Sequence, residues 1–156
     1  MADLLPGNWN VAATNFPVWL SGQRREPRFD YRLISREPLV LSEDVAFTRG
    51  PGRHEGEKKH ILGRDAFTGD EFVWRGTGVL RMLTSRWRVA GVSDDGSIVV
   101  IHSTKSIGTP SGVDVIVREG SLQPELRAVI AHATEDFGLT PVQFASLSWL
   151  DSGASG

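Results

Sequence analysis

The sequence predicts an all-β fold in which eight short antiparallel strands form an up-and-down barrel or a sandwich, followed by one C-terminal helix. Three observations support this prediction. Apolar and polar residues alternate in short runs over much of residues 8–117, as they do in half-buried strands. Glycine, proline and aspartate turn signals separate those runs. One stretch near the C-terminus instead repeats its apolar residues at helical spacing.

The chain has 156 residues, no cysteine and a net charge of −2. This length predicts one domain, and the charge provides no basic field that would attract nucleic acid. The absence of cysteine excludes disulfides, thiolate metal sites and cysteine nucleophiles. No apolar run reaches the ~18 residues of a membrane helix, so no membrane span is predicted. Residues 1–6 lack the basic start of a signal peptide, and we expect a cytoplasmic location.

The first four predicted strands are separated by polar connections. Pro17 ends the first strand, and the polar residues 21–27 lead into the second. In the second strand Phe29 and Tyr31 alternate with charged residues, which indicates one buried face. A loop containing glycine and proline covers residues 49–59 before the fourth strand. These strands are predicted over residues 8–16, 28–34, 39–48 and 60–67.

The next four predicted strands follow tighter turns. Thr68-Gly69-Asp70 and Asp95-Gly96 are hairpin signals. Gly76 and Gly78 predict a bend or bulge within the fifth strand. Thr109-Pro110-Ser111-Gly112 predicts the turn before the eighth strand. These strands are predicted over residues 71–82, 86–92, 98–104 and 113–117.

The C-terminal region predicts one amphipathic helix over residues 122–137, because apolar residues recur at i, i+3, i+4, i+7 and i+11. The residues in this stripe are Leu126, Val129, Ile130, Ala133 and Phe137. Pro124 in the first turn and Gly138 after the last suit the two helix ends. A terminal strand over residues 143–150 and a disordered tail over 151–156 complete the prediction. At the other end, residues 1–6 are predicted to form an arm.

A glycine and a tryptophan near the N-terminus, with a distant arginine, form a second kind of signal. Gly7-Asn8-Trp9 opens the first strand, and Arg118 ends the last strand before the helix. Together they resemble the signature of lipocalins, in the calycin superfamily. The resemblance implies a closed eight-stranded barrel over residues 7–118 with the helix packed outside, and it favours a barrel over a sandwich. It further implies that Arg118 lies across Trp9 at the closed end, a contact worth about 0.5–2 kcal/mol.

The resemblance covers most of the chain, with one departure. Lipocalins tend to have a Thr-Asp pair after the sixth strand, where this chain has Ser93-Asp94-Asp95. The first connection of a lipocalin is a lid-like loop over the open end, and residues 21–27 resemble a shorter version. Uncharacterised lipocalin-like proteins of microbes have a run similar to residues 109–114, which implies no activity.

Five tryptophans in this chain bear on function. An eight-stranded barrel holds either a filled core or one small ligand, and these rings could fill the core themselves. Aromatic walls with few polar groups otherwise suit an apolar ligand, here expected to be cyclic or polyunsaturated. The residues predicted to line the site are Trp19, Tyr31, Phe47, Trp74, Trp87, Asn15 and Arg64.

The sequence contains no recognisable catalytic motif. It lacks a nucleophile elbow and a phosphate-binding loop, and no metal or cofactor is predicted. The histidines and carboxylates of residues 54–60 lack metal-ligand spacing and are interpreted as a solvated loop. Asp65 and His102 are candidate proton-transfer groups if they point inward.

Three functions therefore remain open. A carrier or sequestering protein for a small hydrophobic molecule ranks first. An enzyme that holds such a molecule for cyclisation or isomerisation, without a cofactor, ranks second. A purely structural or interaction role ranks third. The sequence does not determine the oligomeric state.

Overall fold

A computed structural model describes residues 1–104 and 111–150 of the chain. Within them lie nine strands and three short helices, which we number in chain order. The strands are β1 (Gly7–Thr14), β2 (Arg24–Arg36), β3 (Leu39–Arg49), β4 (Lys58–Phe67), β5 (Phe72–Gly76), β6 (Thr84–Val92), β7 (Ile98–Thr104), β8 (Gly112–Arg118) and β9 (Ser148–Trp149). The helices are α1 (Pro17–Leu20), α2 (Leu126–Ala131) and α3 (Pro141–Ser146).

Strands β1 to β8 form a closed antiparallel barrel. Each pairs with its neighbour in sequence, and β1 pairs with both β2 and β8, which closes the sheet. The predicted up-and-down barrel is therefore confirmed, and a sandwich is excluded. Closure leaves no free edge among these eight strands. None of the described helices has the length and apolar character needed to span a lipid bilayer.

Alternation along the strands creates two hydrophobic layers, which β7 shows most clearly. Val99 and Ile101 belong to the cluster inside the barrel, whereas Ile98 and Val100 belong to a second cluster outside it. Because successive side chains point to opposite faces of a strand, this continuous apolar run is buried on both sides. The outer cluster includes Ile130 of α2, so the C-terminal segment packs against the outside of the barrel.

The barrel has two distinct ends. We call the floor the end that holds residues 1–6 and the turns at 37–38, 68–71 and 93–97. The mouth is the opposite end, with the connections at 15–23, 50–57 and 77–83. Helix α1 lies in the first of these connections, after a strand that ends at Thr14 rather than at Phe16. Pro17, at the helix start, suits this position because its missing N–H is not needed there.

The long C-terminal helix predicted over residues 122–137 is wrong in extent. Only Leu126–Ala131 is helical, although the apolar stripe continues into the outer cluster through Ala133 and Phe137. The Phe137 backbone lies so close to Gly91 that a Cβ on Gly91 would overlap it. This close packing on the barrel bends the chain away from a regular helix, and Gly138 ends the segment with a φ of +68°.

The terminal strand predicted over residues 143–150 is mostly wrong, because helix α3 occupies residues 141–146. The Thr140 hydroxyl accepts a hydrogen bond from the Gln143 backbone N–H, and the Gln143 side chain accepts one from the Thr140 N–H. With Pro141 at the first turn, this capping box is a standard helix start. Of the predicted terminal strand, only β9 is extended, and it pairs with β1. The predicted tail over 151–156, and Thr109 and Pro110 of the predicted turn, lie outside the described residues.

The strand predicted over residues 71–82 is also shorter than expected. Strand β5 ends at Gly76, and a 3₁₀ turn over Gly78–Leu80 follows. Gly78 has a φ of +59°, a left-handed conformation that glycine adopts readily. Conversely, β2 begins at Arg24, so part of the predicted lid-like loop over 21–27 belongs to a strand. The ends of the other predicted strands lie within two residues of the observed ones.

Candidate ligand-binding interior

The floor of the barrel is a closed, fully hydrogen-bonded structure around Trp9. Trp9 has no exposed surface, and its indole N–H donates to the Leu5 carbonyl at 2.8 Å. The Arg118 guanidinium carbon lies 4.1 Å from the centre of the Trp9 ring, so the predicted stacking is present. Arg118 also donates hydrogen bonds to the carbonyls of Pro6 and Leu4.

Gly7 allows the chain to pass close to this arginine. Its φ of +127° is unfavourable for residues with a side chain. A Cβ on Gly7 would also lie 2.6 Å from Nη1 of Arg118. Both observations give the Gly-x-Trp spacing a steric reason, and they assign the floor a structural role.

Aromatic rings line the middle of the barrel. Tyr31, Phe72 and Trp87 have at most 5% of their surface exposed. The Trp87 ring stacks on Phe72 with 4.5 Å between ring centres, and its centre lies 5.7 Å from that of Tyr31. Phe67 contacts Phe72 on the other side, with ring centres 4.9 Å apart. These contacts hold the rings in fixed orientations along the inner wall.

Three carboxyl side chains lie among these rings, and we call Glu43, Asp65 and Asp114 the interior acid cluster. Tyr31 is the direct cross-strand partner of Glu43, and its hydroxyl donates a hydrogen bond to the Glu43 carboxyl. Glu43 pairs with Gly63, so Asp65 lies diagonally next to it on β4, about 7–8 Å away between backbones.

The other two members of the interior acid cluster each have one hydrogen-bond partner. The Trp87 indole N–H donates to Asp65 Oδ1 at 2.7 Å. Asp114 pairs with Thr14 across β8 and β1, and the Thr14 side chain hydrogen-bonds to its carboxyl. Asp65 has no exposed surface and Asp114 only 5%.

Burial governs the electrostatics of the interior acid cluster. It raises the pKa of both Asp65 and Asp114 to about 7, against the opposing hydrogen bonds from Trp87 and Thr14. Burial, followed by the charge of Asp65, raises the pKa of Glu43 well above its usual value. No salt bridge among the described residues reaches these three carboxyls. The interior therefore carries acidic groups without a matching cation.

Three polar atoms in this interior are buried and have no hydrogen-bond partner within the described residues. They are Asp65 Oδ2, Asp114 Oδ1 and Trp74 Nε1. Trp74 is the cross-strand partner of Asp65, and its indole lies over Gly63, where a Cβ would overlap the ring nitrogen. Because unpaired buried polar atoms cost free energy, these atoms are suited to bind a guest molecule or ordered water.

The mouth is partly covered by the first connection. Trp19 of α1 packs against Phe47, with 6.1 Å between ring centres, and Arg24 lies 4.9 Å from the centre of the same ring. The Gly50 N–H donates to the Gln23 carbonyl at 2.9 Å, which ties this connection to the end of β3. The connection therefore lies against the rim of the barrel on the β2–β3 side.

The structure brings together most of the residues that the sequence predicts as ligand-binding. Tyr31, Phe47, Trp74 and Trp87 lie on the inner face of their strands, and Trp19 lies at the mouth. Asp65, a candidate proton-transfer group, also points inward, where it belongs to the interior acid cluster.

Two predicted lining residues do not face the interior. The Asn15 side chain accepts from the Val113 backbone N–H at 2.7 Å and donates to Ser146 Oγ at 3.1 Å, so it joins the mouth to α3. Arg64 is exposed on the outer face of β4, because its neighbour Asp65 points inward and side chains alternate along a strand.

His102, the other candidate proton-transfer group, faces away from the interior. In β7 the odd-numbered residues Val99 and Ile101 face inward, so His102 faces outward. There His102 Nδ1 accepts from Arg88 Nη2 at 3.2 Å. Partial burial, followed by the charge of Arg88, lowers the pKa of His102. The side chain has no access to the interior acid cluster.

Asp114 and Thr14 also lie in the interior, although the sequence pattern did not predict them there. Asp114 lies between Val113 and Val115, which belong to the outer cluster. A single aspartate inside an otherwise apolar strand was the available signal, since such a residue must be paired or functional.

Two surface hollows outside the barrel are weaker candidates. One of about 510 Å³ lies between α2 and α3, next to His132 and Phe144. The other, of about 260 Å³, lies on the outer face of β2 to β4. Neither hollow contains the unpartnered atoms of the interior. Within the described residues, no three histidine, aspartate or glutamate side chains converge as metal ligands.

The comparisons with known proteins give a consistent result for the fold. No family model and no curated protein matches the sequence. The siderocalin Ex-FABP is similar in structure, with 15% identity, a TM-score of 0.59, and coverage of 97% of this chain and 96% of that one. Bovine odorant-binding protein has 14% identity, a TM-score of 0.54, and coverage of 93% and 92%. The bovine lipocalin allergen Bos d 2 has 14% identity, a TM-score of 0.58, and coverage of 95% and 93%.

Proposed function

Since the chain has the lipocalin fold, we propose that it binds a small, mainly apolar molecule inside the barrel. One observation carries this proposal: Asp65 Oδ2, Asp114 Oδ1 and Trp74 Nε1 are buried and without a partner among the described residues, on side chains of the inner face of a barrel lined with aromatic rings. A barrel that only filled its own core would gain stability from apolar residues at these positions. Retained polar atoms of this kind are typical of a site that orients a guest.

The similar proteins support the same proposal. The siderocalin Ex-FABP functions through dual ligand specificities, and the bovine odorant-binding protein is named for the molecules it binds. In this chain a flat or unsaturated guest would lie against Tyr31, Trp74 and Trp87, with the mouth residues Trp19 and Phe47 above it. We therefore favour a cyclic or polyunsaturated molecule, because extended π-systems stack well on such walls.

The experiment is a fluorescence titration with the neutral apolar probe N-phenyl-1-naphthylamine. We expect probe emission to rise and tryptophan emission to fall as the probe enters the interior. Trp74→Ala should weaken the probe's affinity about tenfold, since it removes one wall of the site. The matched control is Trp149→Ala, because Trp149 packs against Phe144 in the outer layer and its loss should leave the affinity unchanged.

Two results would contradict the proposal. The first is a probe that does not bind to the folded protein at all. The second is a probe that Trp149→Ala weakens and Trp74→Ala does not, since binding would then occur outside the barrel. Native mass spectrometry of protein purified from its own host would identify any molecule retained in the interior.

A second candidate function is an enzyme that cyclises or isomerises such a molecule without a cofactor. The observation that favours it is the pKa of about 7 of the buried Asp65 and Asp114, which suits a group that takes or gives a proton at neutral pH. If the retained molecule is turned over, Asp65→Asn should abolish turnover while binding persists. A carrier would show no turnover, and the same variant would change only its affinity.

We also retain the cytoplasmic location as a proposal. A chain without cysteine gains nothing from an oxidising compartment. Immunoblotting of fractionated host cells would test it, and recovery of the protein outside the cytoplasmic fraction would overturn it.

A further inference from the structure

The interior acid cluster is chemically unbalanced, and its imbalance indicates the kind of guest that would fit. Its three carboxyls lie on β3, β4 and β8 and face one enclosed interior from different sides. The groups that face them are Tyr31, Trp87, Trp74 and Thr14, which are uncharged at neutral pH. Among the described residues, every arginine, lysine or histidine in a salt bridge has a carboxylate outside this cluster as its partner.

We propose that the guest carries a cationic amine, and that this ammonium group binds to the free oxygen of Asp65, with Glu43 diagonally next to it and Asp114 facing the same interior. The inference rests on the proposed function, since it names the chemical class of the molecule that the barrel holds. An apolar body would lie against the rings, and the ammonium head would supply the positive charge that the interior lacks.

The two unpartnered carboxyl oxygens match an ammonium better than a carboxylate or a metal ion. Asp65 and Asp114 each have one oxygen in use and one free. An ammonium presents several N–H donors and no acceptor, so it can satisfy a free carboxyl oxygen such as Asp65 Oδ2. A carboxylate guest would instead be repelled by each of these acids that is ionised. The lack of convergent ligand geometry among the described residues argues against a metal ion.

The aromatic wall favours the same chemistry. Asp65 holds the Trp87 indole through its N–H, and that ring contacts Tyr31. A cation near the face of an indole or phenol is attracted by the ring quadrupole, most strongly where water is excluded. Carboxylates combined with aromatic faces are therefore a complementary environment for an organic ammonium ion.

Protonation gives the inference a pH dependence. Burial raises the pKa of Asp65 and Asp114 to about 7 and raises that of Glu43, so at acidic pH the interior acid cluster is neutral. An ammonium guest favours the ionised carboxylates and lowers their pKa values. Its affinity should therefore rise as the pH increases through 7, whereas that of a neutral guest should fall or stay level.

The test compares three probes that share one ring and differ only in the head group: 2-phenylethylamine, 2-phenylethanol and phenylacetate. Isothermal titration calorimetry at pH 8 should show the amine binding about tenfold or more tightly than the alcohol, as expected for charge-assisted hydrogen bonds. Phenylacetate should bind most weakly. At pH 5 the preference for the amine should shrink to about threefold or less.

Variants test whether the preference for the amine over the alcohol arises in the barrel interior. Asp65→Asn and Asp114→Asn should each weaken 2-phenylethylamine about tenfold at pH 8 and leave 2-phenylethanol unchanged. The control is Asp44→Asn, which removes a carboxylate next to Glu43 in sequence that lies on the outer face beside His60. It should leave all three affinities unchanged. If an aspartate variant does not fold, Glu43→Gln takes its place, with the same expected loss.

The outcomes separate this inference from the proposed function. If N-phenyl-1-naphthylamine binds but the amine shows no preference over the alcohol at pH 8, the cationic guest is wrong and the binding barrel stands. If phenylacetate binds best, the inference is also overturned. If neither that probe nor any of the three head-group probes binds to the folded protein, both proposals fail.

Discussion

The two halves of the barrel interior differ in how they treat polar groups. At the floor, the Trp9 N–H and the Arg118 guanidinium both have carbonyl partners, and the cation lies on a ring. In the middle, the interior acid cluster and Trp74 leave three buried atoms without partners among the described residues. The same fold thus contains one region in which hydrogen bonding is complete and one in which it is not.

This difference separates stability from function. A complete hydrogen-bond network that closes the barrel needs nothing further and should dominate resistance to unfolding. Buried acids without partners oppose folding. Their presence is better explained by a guest that supplies the missing hydrogen-bond partners. Natural proteins break local rules of this kind mainly at functional sites.

The strongest test of the floor is Trp9→Ala. Removing a fully buried indole should lower the free energy of unfolding by about 3–5 kcal/mol, and it also leaves Arg118 without its ring. Chemical denaturation followed by circular dichroism would measure the loss. Trp149→Ala in the outer layer should cost clearly less, and equal costs would remove the distinction between the floor and the rest of the molecule.

The interior acid cluster should make stability depend on pH. The native state holds the protons of Asp65 and Asp114 up to about pH 7, whereas the unfolded chain loses them near 3.8. The free energy of unfolding should therefore be highest near pH 4, fall by several kcal/mol as the pH rises from about 4 to 7, and level off above that. Denaturant titrations at several pH values would measure the fall.

A double variant separates the pH dependence caused by the interior acid cluster from that caused by surface carboxylates. Asp95 behaves in the opposite way, because hydrogen bonds from Ser97 and Ser93 lower its pKa to about 2. Its ionised form stabilises the folded state above about pH 4, and this stabilisation is lost only in stronger acid. The double variant Asp65→Asn, Asp114→Asn should flatten the profile between pH 4 and 7. A double variant with an unchanged slope would contradict the assignment.

Arg118→Ala should have a moderate effect. It removes the stacking on Trp9 and leaves two carbonyls without a donor, and we expect a loss of about 1–3 kcal/mol. Thermal and chemical melts would measure it. Arg64→Ala, on the exposed outer face, is the matched control and should stay within about 0.5 kcal/mol of the parent. A loss at position 118 no larger than at position 64 would argue against the structural role of the floor.

The smallest effect is expected for Asp65→Asn alone at pH 8. The amide oxygen can still accept from Trp87, and the buried charge is gone, so stability should rise by about 1 kcal/mol or remain unchanged. A loss above about 2 kcal/mol would mean that the carboxylate is structural, like the floor, and the contrast between the two regions would fail. Asp44→Asn provides the comparison for removing an acid from the outer face.

Much of the fold could be predicted because it depends on local patterns. Alternation placed Phe29 and Tyr31 on one face, and turn residues separated the strands. The closed end of the barrel could be predicted from Gly7, Trp9 and Arg118, because the steric requirement at this end restricts which residues can occupy those positions. Each of these features can be recognised from the sequence of a single strand or from a single recurring contact.

The features that were left open or predicted wrongly depend mostly on neighbours distant in sequence. His102 lies in a run that is apolar on both faces, so alternation alone could not tell its direction. The helix after Leu126 is shortened by contact with Gly91, more than thirty residues earlier in the chain. The missed helix α3 is different, because Thr140, Pro141 and Gln143 form a local signal that the sequence already contained.

The position of Trp74 over Gly63 has a consequence for how this barrel can diversify. The indole occupies the space that a side chain at position 63 would need, so any larger residue there must push the ring toward the axis of the barrel. The room for the proposed guest would then change while the side chains that line the interior stay the same. A homologue or an engineered variant can therefore alter its selectivity through a wall position that has no side chain of its own.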